Sequence, residues 1–146
     1  MGKKIIGRID VARFPELNLH AIAVKIDTGA FTSSMHCHEI KEIVKDGVSK
    51  LSFRLLDPEH EEYHDKKFVV EDYDKRWIKN SFGESEERYV ISTFIELFQK
   101  KHAIDLTLTN RGNMRFPVLL GRKILDDFLV DVSQSNLSFQ KSLLIA

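Results

Sequence analysis

A mainly β fold carrying one late helix is what this sequence predicts, on three observations. Apolar and polar residues alternate in several short runs, turn-forming residues separate those runs at hairpin spacing, and one segment near the end changes to helical spacing.

Taken in order, Ile22, Val24 and Ile26 alternate with Ala21, Ala23 and Lys25, which gives a strand with one face inward. Leu51, Phe53 and Leu55 repeat the pattern against Ser52 and Arg54. The runs 68–78 and 86–98 flank Asn80-Ser81-Phe82-Gly83, so they form a hairpin with its turn there. Gln99-Lys100-Lys101 then turns the chain into 103–109, where Ile104, Leu106 and Leu108 alternate with Asp105, Thr107 and Thr109. After Gly121, the residues Ile124, Leu125, Phe128 and Leu129 recur at i, i+1, i+4 and i+5, one face of a helix.

Composition narrows the function classes. A chain of 146 residues, 42% apolar and 30% charged, suits one domain over 1–146 with a modest core. The 22 basic and 22 acidic residues cancel, so nothing in the total points to nucleic acid or an anionic membrane surface. Cys37 is the one cysteine and cannot form an internal disulfide, and charges interrupt MGKKIIGRID before a signal-peptide core forms. No apolar stretch approaches the roughly 20 residues of a spanning helix. A cytoplasmic protein is expected. There is no internal repeat, and the polar stretch 57–67 is too short to separate domains.

Chemistry concentrates at KIDTGAFTSS, residues 25–34. Asp27, Thr28 and Gly29 sit where an apolar strand meets a small-residue turn. Hydrolysis of a peptide without metal or side-chain nucleophile needs one carboxylate to take a proton from water while another donates one to the scissile carbonyl. Two carboxyls in contact share one proton and titrate as a pair, as in the aspartic-protease dyad. Asp-Thr-Gly occurs once here, so the second carboxylate would be Asp27 of a partner subunit across a twofold axis. Thr28 would bond across the paired loops, and Gly29 would let backbones approach. Taken alone, the triplet is also an ordinary turn.

Metal readings compete. HEEYH, residues 60–64, satisfies H-E-x-x-H, with His60 and His64 as zinc ligands and Glu61 as base. Its surroundings are polar, short and followed by a strand-like run, which is poor context for a zincin helix. His36 and His38 would share a strand face beside Cys37, enough for two ligands but not a closed site. No phosphate-cradling glycine loop is present, and no cofactor is expected.

A second feature is FPVLLGRKIL, residues 116–125. Apolar-apolar-Gly followed by a helix, after Asp-Thr-Gly-Ala, a hairpin and a further strand, resembles the order in retropepsin-like aspartic proteases. KIDTGAFTSSMH, LTLTNRGNMRFPVLLGR and FLVDVSQSNL, with the opening IIGRIDVARFPEL, closely resemble a small bacterial family. Its members are often called ATP-dependent zinc proteases and have been reinterpreted as retropepsin-like aspartic endopeptidases. The resemblance runs from about residue 5 to 137 and weakens between 40 and 80. It implies a closed acid-protease barrel with one short helix in the C-terminal half, and a homodimer that cleaves peptides with Asp27 from each chain. Thr28, Gly29 and Ala30 would hold the catalytic loop, and Gly121 would let the second strand pack against it. His36 matches a family His near the site, although a backbone-bonded His is the simpler reading. Phe31 stands where retroviral enzymes carry an acid that pairs with the residue equivalent to Arg122. Arg122 is therefore expected to bind Asp126, a backbone carbonyl or substrate. Arg111 and Arg115, if they line the cleft, would favour acidic peptides, in keeping with the trimming of glutamate tails proposed for this family. Glu84, Glu86 and Glu87 read as a solvated edge. A non-catalytic peptide-binding module on the same fold is the alternative, with the zinc protease a third.

Overall fold

Backbone pairing turns the alternating runs into a ring of strands. The computed structural model describes residues 2–56, 60, 63, 67–79, 82–110 and 116–145. Its first half holds β1 (Lys4–Ile6), β2 (Ile9–Phe14), β3 (Leu19–Ile26), β4 (Ser33–Lys45), β5 (Val48–Leu55) and β6 (Lys67–Val70). The second half holds β7 (Asp74–Lys79), β8 (Ser85–Leu97), β9 (Lys100–Thr109), β10 (Val118–Leu120), α1 (Arg122–Leu125), β11 (Phe128–Val130) and α2 (Leu137–Ile145).

Short β10 closes the ring. It runs parallel to β3 on one side and antiparallel to β4 on the other. From β4 the path continues to β9, β8, β2 and back to β3. Six strands thus surround one core, as a closed barrel. Two hairpin arms leave it: β5 and β6 extend from β4, and β7 hangs from β8. Outside the ring, β1 and β11 form a separate parallel pair.

Inward residues match the expected alternation along β3, where Ile22, Val24 and Ile26 are buried; along β5, Leu51, Phe53 and Leu55 are buried as expected, but so is Ser52. Phe53 stacks on Phe68 with centroids 5.7 Å apart. Each such side chain taken from water contributes about 1.5–3 kcal/mol. In β9, Ile104, Leu106 and Leu108 are buried as expected, but so are Thr107 and Thr109. The end of β9 lies beside β4, and Thr107 Oγ1 donates to the Ser33 carbonyl at 3.1 Å. That satisfied hydroxyl explains a polar residue on a covered face.

Three local expectations are revised. Residues 68–78 are not one strand: 71–73 interrupt the run, so β6 pairs with β5 while β7 pairs with β8. The turn between β8 and β9 is Phe98-Gln99, with φ of 52° and 62°, not Gln99-Lys100-Lys101. An aromatic residue in that left-handed region is costly. Here tertiary contacts hold it, since the Phe98 N–H donates to Ser138 Oγ at 2.8 Å and its ring packs on Phe128.

The late helix is one turn long. Ile124 and Leu125 are buried on α1, but Phe128 and Leu129 belong to β11, and Leu129 is exposed. Pairing with β1 competes with helix continuation and wins, because it satisfies the backbone of both short strands while still burying Phe128. A second helix, α2, was not anticipated. Its N-terminus is capped from a distance by Asp10, 1% exposed, whose carboxylate accepts the N–H groups of Ser138 (3.0 Å) and Phe139 (3.1 Å). Among the described residues no helix is long and apolar enough to cross a membrane.

Candidate active site

Asp27 is the first residue past β3, and backbone pairing fixes its place. Its N–H donates to the Leu120 carbonyl at 2.9 Å, extending the β3–β10 ladder. The chain then turns, with the Ala30 N–H on the Asp27 carbonyl at 3.3 Å and the Gly29 N–H on Asp27 Oδ1 at 3.0 Å. One carboxylate oxygen is therefore oriented by the loop itself. The other makes no hydrogen bond with the described residues. Asp27 is half-buried, whereas Thr28 and Gly29 are exposed.

The segment after β10 clamps this loop. The N–H groups of Arg122 and Lys123 donate to the carbonyls of Ala30 (2.8 Å) and Phe31 (3.1 Å), and the Gly121 N–H donates to Ser33 Oγ at 3.0 Å. Arg122 Nη1 donates to the Thr28 carbonyl at 3.0 Å, and its guanidinium lies 5.9 Å from the Phe31 ring centroid. Among the partners open to it in the sequence, Arg122 takes a backbone carbonyl of the Asp27 loop. Phe31 occupies the place of an acidic partner by offering its ring face. Gly121 is required by space, because a Cβ there would sit 2.7 Å from the Phe31 and Thr32 carbonyl oxygens.

Facing the loop is the β7–β8 hairpin. Between them lies a cleft of about 800 Å³, lined by Asp27, Ser34 and Thr107 on the barrel side and by Ile78, Phe82 and Arg88 on the hairpin side. Phe82, near the hairpin tip, is 89% exposed. The hairpin base is tied down on the Glu42 carboxylate of β4. Tyr73 Oη (2.6 Å), Tyr89 Oη (3.1 Å) and Lys75 Nζ (2.5 Å) all converge there. Lys75 and then Tyr73 hold Glu42 below the ordinary carboxylate range, and the same contact raises Lys75 and Tyr73. Burial, then Glu42, raises Tyr89.

Arg88 and Lys79 are cleft cations that sequence reasoning missed. Glu86, read as a solvated edge, also lines the cleft, where its Oε1 accepts from Arg88 Nε at 2.6 Å and from Arg88 Nη2. Strand register carries the missing signal. Once Lys79 opposes Ser85, period two places Glu86 and Arg88 opposite Ile78 and Arg76, on one face.

Other sequence candidates fall elsewhere. His36 is buried in β4, with its N–H on the Pro117 carbonyl at 2.8 Å and its carbonyl accepting from Leu56. It does not line the cleft. Cys37 is buried, which pushes its thiol above the ordinary value. His38 Nδ1 donates to the Leu56 carbonyl at 2.7 Å. Among the described residues no group of three or more His, Cys, Asp or Glu side chains could hold a metal. His60 is described, but Glu61, His64, Arg111 and Arg115 lie outside the described residues.

Comparison with known proteins now bears on this geometry. Residues 5–141 match the RimB-like family, described as retropepsin-like aspartic endopeptidase RimB. The chain belongs to the RimB-like family. That membership agrees with the barrel, the Asp-Thr-Gly loop after β3 and the apolar-apolar-Gly strand beside it. The RimB-like chain is also similar to the crystal structure of a Legionella pneumophila protein of unknown function (DUF785). The TM-score is 0.74 at 30% identity, covering 94% of this chain and 99% of that one. Two curated relatives are named probable alpha-L-glutamate ligase. The one from Desulfotalea psychrophila is 42% identical over 89% of this chain, and the one from Shewanella pealeana 39% identical over 91%. The RimB-like chain spans only 28% and 29% of their lengths.

Proposed function

We propose that this chain is an aspartic endopeptidase that works as a homodimer, with Asp27 of each copy forming the catalytic pair. The single observation that carries the reading is the Asp27 carboxylate, oriented by its loop at the floor of a cleft that the β7–β8 hairpin covers. Family membership supports the same chemistry. Glu86 is the only other carboxylate lining that cleft among the described residues, and Arg88 already holds it, so a second copy of Asp27 is the fitting partner.

In the mechanism, the pair shares one proton. The ionised carboxylate takes a proton from a water molecule as the water oxygen attacks the scissile carbonyl carbon, and the protonated one donates to the carbonyl oxygen. Collapse of the tetrahedral intermediate breaks the C–N bond, and the leaving nitrogen receives a proton from the pair. The clamp of Arg122, Lys123 and Gly121 on residues 28–33 keeps the carboxylates in register, as catalysis by positioning requires.

Glutamate-rich peptides are the substrate class we favour. Relatives named probable alpha-L-glutamate ligase contain a region matching most of this chain, which suits a domain acting on glutamate-containing peptides. Asp27→Asn tests the mechanism. It should abolish cleavage of a glutamate-rich peptide while leaving the melting temperature and the oligomeric state unchanged; a variant that still cleaves rejects it.

A further inference from the structure

Arg88 stands out among the groups that the hydrolytic scheme leaves unused. It is a cation on the cleft wall, its side chain only 16% exposed, so its charge is partly desolvated. Both contacts to Glu86 fall on its Nε and Nη2 edge and reach a single oxygen, Glu86 Oε1. Nη1 has no partner among the described residues. A partly buried guanidinium with open donors is poorly satisfied, and a planar carboxylate is the group its fork fits best. Glu86, by contrast, is half exposed and sits two residues along the same strand, free to swing into solvent at little cost.

We propose that Arg88 is the residue that reads an acidic side chain of the bound peptide, and that Glu86 occupies it as an internal stand-in until that side chain displaces it. The inference rests on the endopeptidase reading for its substrate, but the subsite itself is a matter of binding. In the empty cleft Glu86 satisfies part of the fork and keeps Arg88 in place. When a peptide carboxylate arrives, it takes the guanidinium and Glu86 turns outward. A neutral peptide cannot make that exchange, so selectivity arises from the competition as well as from the attraction. Lys79, also lining the cleft and without an ion pair among the described residues, adds charge but no planar fork.

The test uses the full chain carrying Asp27→Asn, so that binding is measured without turnover. Fluorescent hexaglutamate and hexaglutamine peptides are titrated by anisotropy. Hexaglutamate should bind, and Arg88→Gln should weaken it by about tenfold or more while leaving hexaglutamine unchanged. Arg88→Lys should recover only part of the loss, because an ammonium lacks the fork. Glu86→Gln should tighten hexaglutamate several-fold, since the competitor is gone and repulsion with it. Equal hexaglutamate affinity with and without Arg88→Gln overturns the proposal, as does weaker binding in Glu86→Gln or no hexaglutamate binding at all. Arg88-dependent binding in a chain whose native Asp27 form cleaves no peptide would leave the subsite standing and remove the endopeptidase reading instead.

Discussion

Replacing Gly121 by Ala is the perturbation with the most legible consequence. Gly121 has φ −91° and ψ 179°, an ordinary extended conformation that alanine adopts freely, so the substitution carries no backbone penalty. Its whole cost is steric. The added Cβ would lie 2.7 Å from the carbonyl oxygens of Phe31 and Thr32 and 2.8 Å from the Phe31 carbonyl carbon, where ordinary contact begins at 3.4 Å. The shortfall is about 0.7 Å, and neither side yields easily. Gly121 N–H is held by Ser33 Oγ, while the carbonyls of Ala30 and Phe31 are held by the next two N–H groups. The loop bearing Asp27 must therefore shift. Overpacking of this kind costs about 1–3 kcal/mol, well within a typical total of about 5–15, so the variant should fold. A shift approaching 1 Å at the reacting groups costs about 10²-fold in rate. We expect a lower urea midpoint at unchanged slope and peptide cleavage reduced about a hundredfold. Unchanged stability together with unchanged activity would refute the claim that this close approach positions Asp27.

Further predictions concern the supports of the site. Asp10→Ala removes the acceptor for the Ser138 and Phe139 N–H groups and should lower unfolding free energy by about 2–3 kcal/mol, with Asp10→Asn recovering part; a urea curve that moves by less than about 0.5 kcal/mol contradicts the cap. Glu42→Gln should speed amide exchange along β7 with little change in global stability, because the contacts are exposed; unaltered exchange would show that Glu42 does not tether the hairpin. The same tether should depend on pH at both ends. Glu42 is depressed by Lys75 and Tyr73, so its contribution is present above the ordinary carboxylate value and disappears as pH falls through the depressed one. Lys75 and Tyr73 are raised by Glu42, so their contribution is present below their ordinary values and disappears as pH rises through the raised ones. Protection of β7, corrected for intrinsic exchange, should be flat near neutrality and fall on either side.

Some of this could be read from the sequence, and the divide has a physical basis. Alternation identified β3 and the apolar faces of β5 and β9 because those side chains pack into the hydrophobic core, where burial enforces period two on the inward face. The hairpin between β7 and β8 was legible from its turn residues. Asp46-Gly47, with φ of 54° and 78°, is the two-residue turn joining β4 to β5, a signal present in the sequence and left unused. What stayed hidden was tertiary. Phe128 and Leu129 continue a helical spacing by coincidence, and only the presence of β1 alongside decides that they pair as a strand. α2 takes its side-chain cap from Asp10, 128 residues away, and Asn136 directly before it is a start signal that is weak without that distant carboxylate. Arg88 reads as a surface charge until hairpin register turns it into the cleft.

Subunit mixing tests the central claim most directly. Native chains and Asp27→Asn chains, each carrying a different affinity tag, are unfolded together, refolded at varied ratios and assayed on a glutamate-rich peptide. If every catalytic centre needs one Asp27 from each of two copies, mixed pairs are silent and activity falls as the square of the native fraction, to about one quarter at an equal mixture. Activity proportional to the native fraction, about one half at that mixture, would mean that each chain acts alone and would contradict the account.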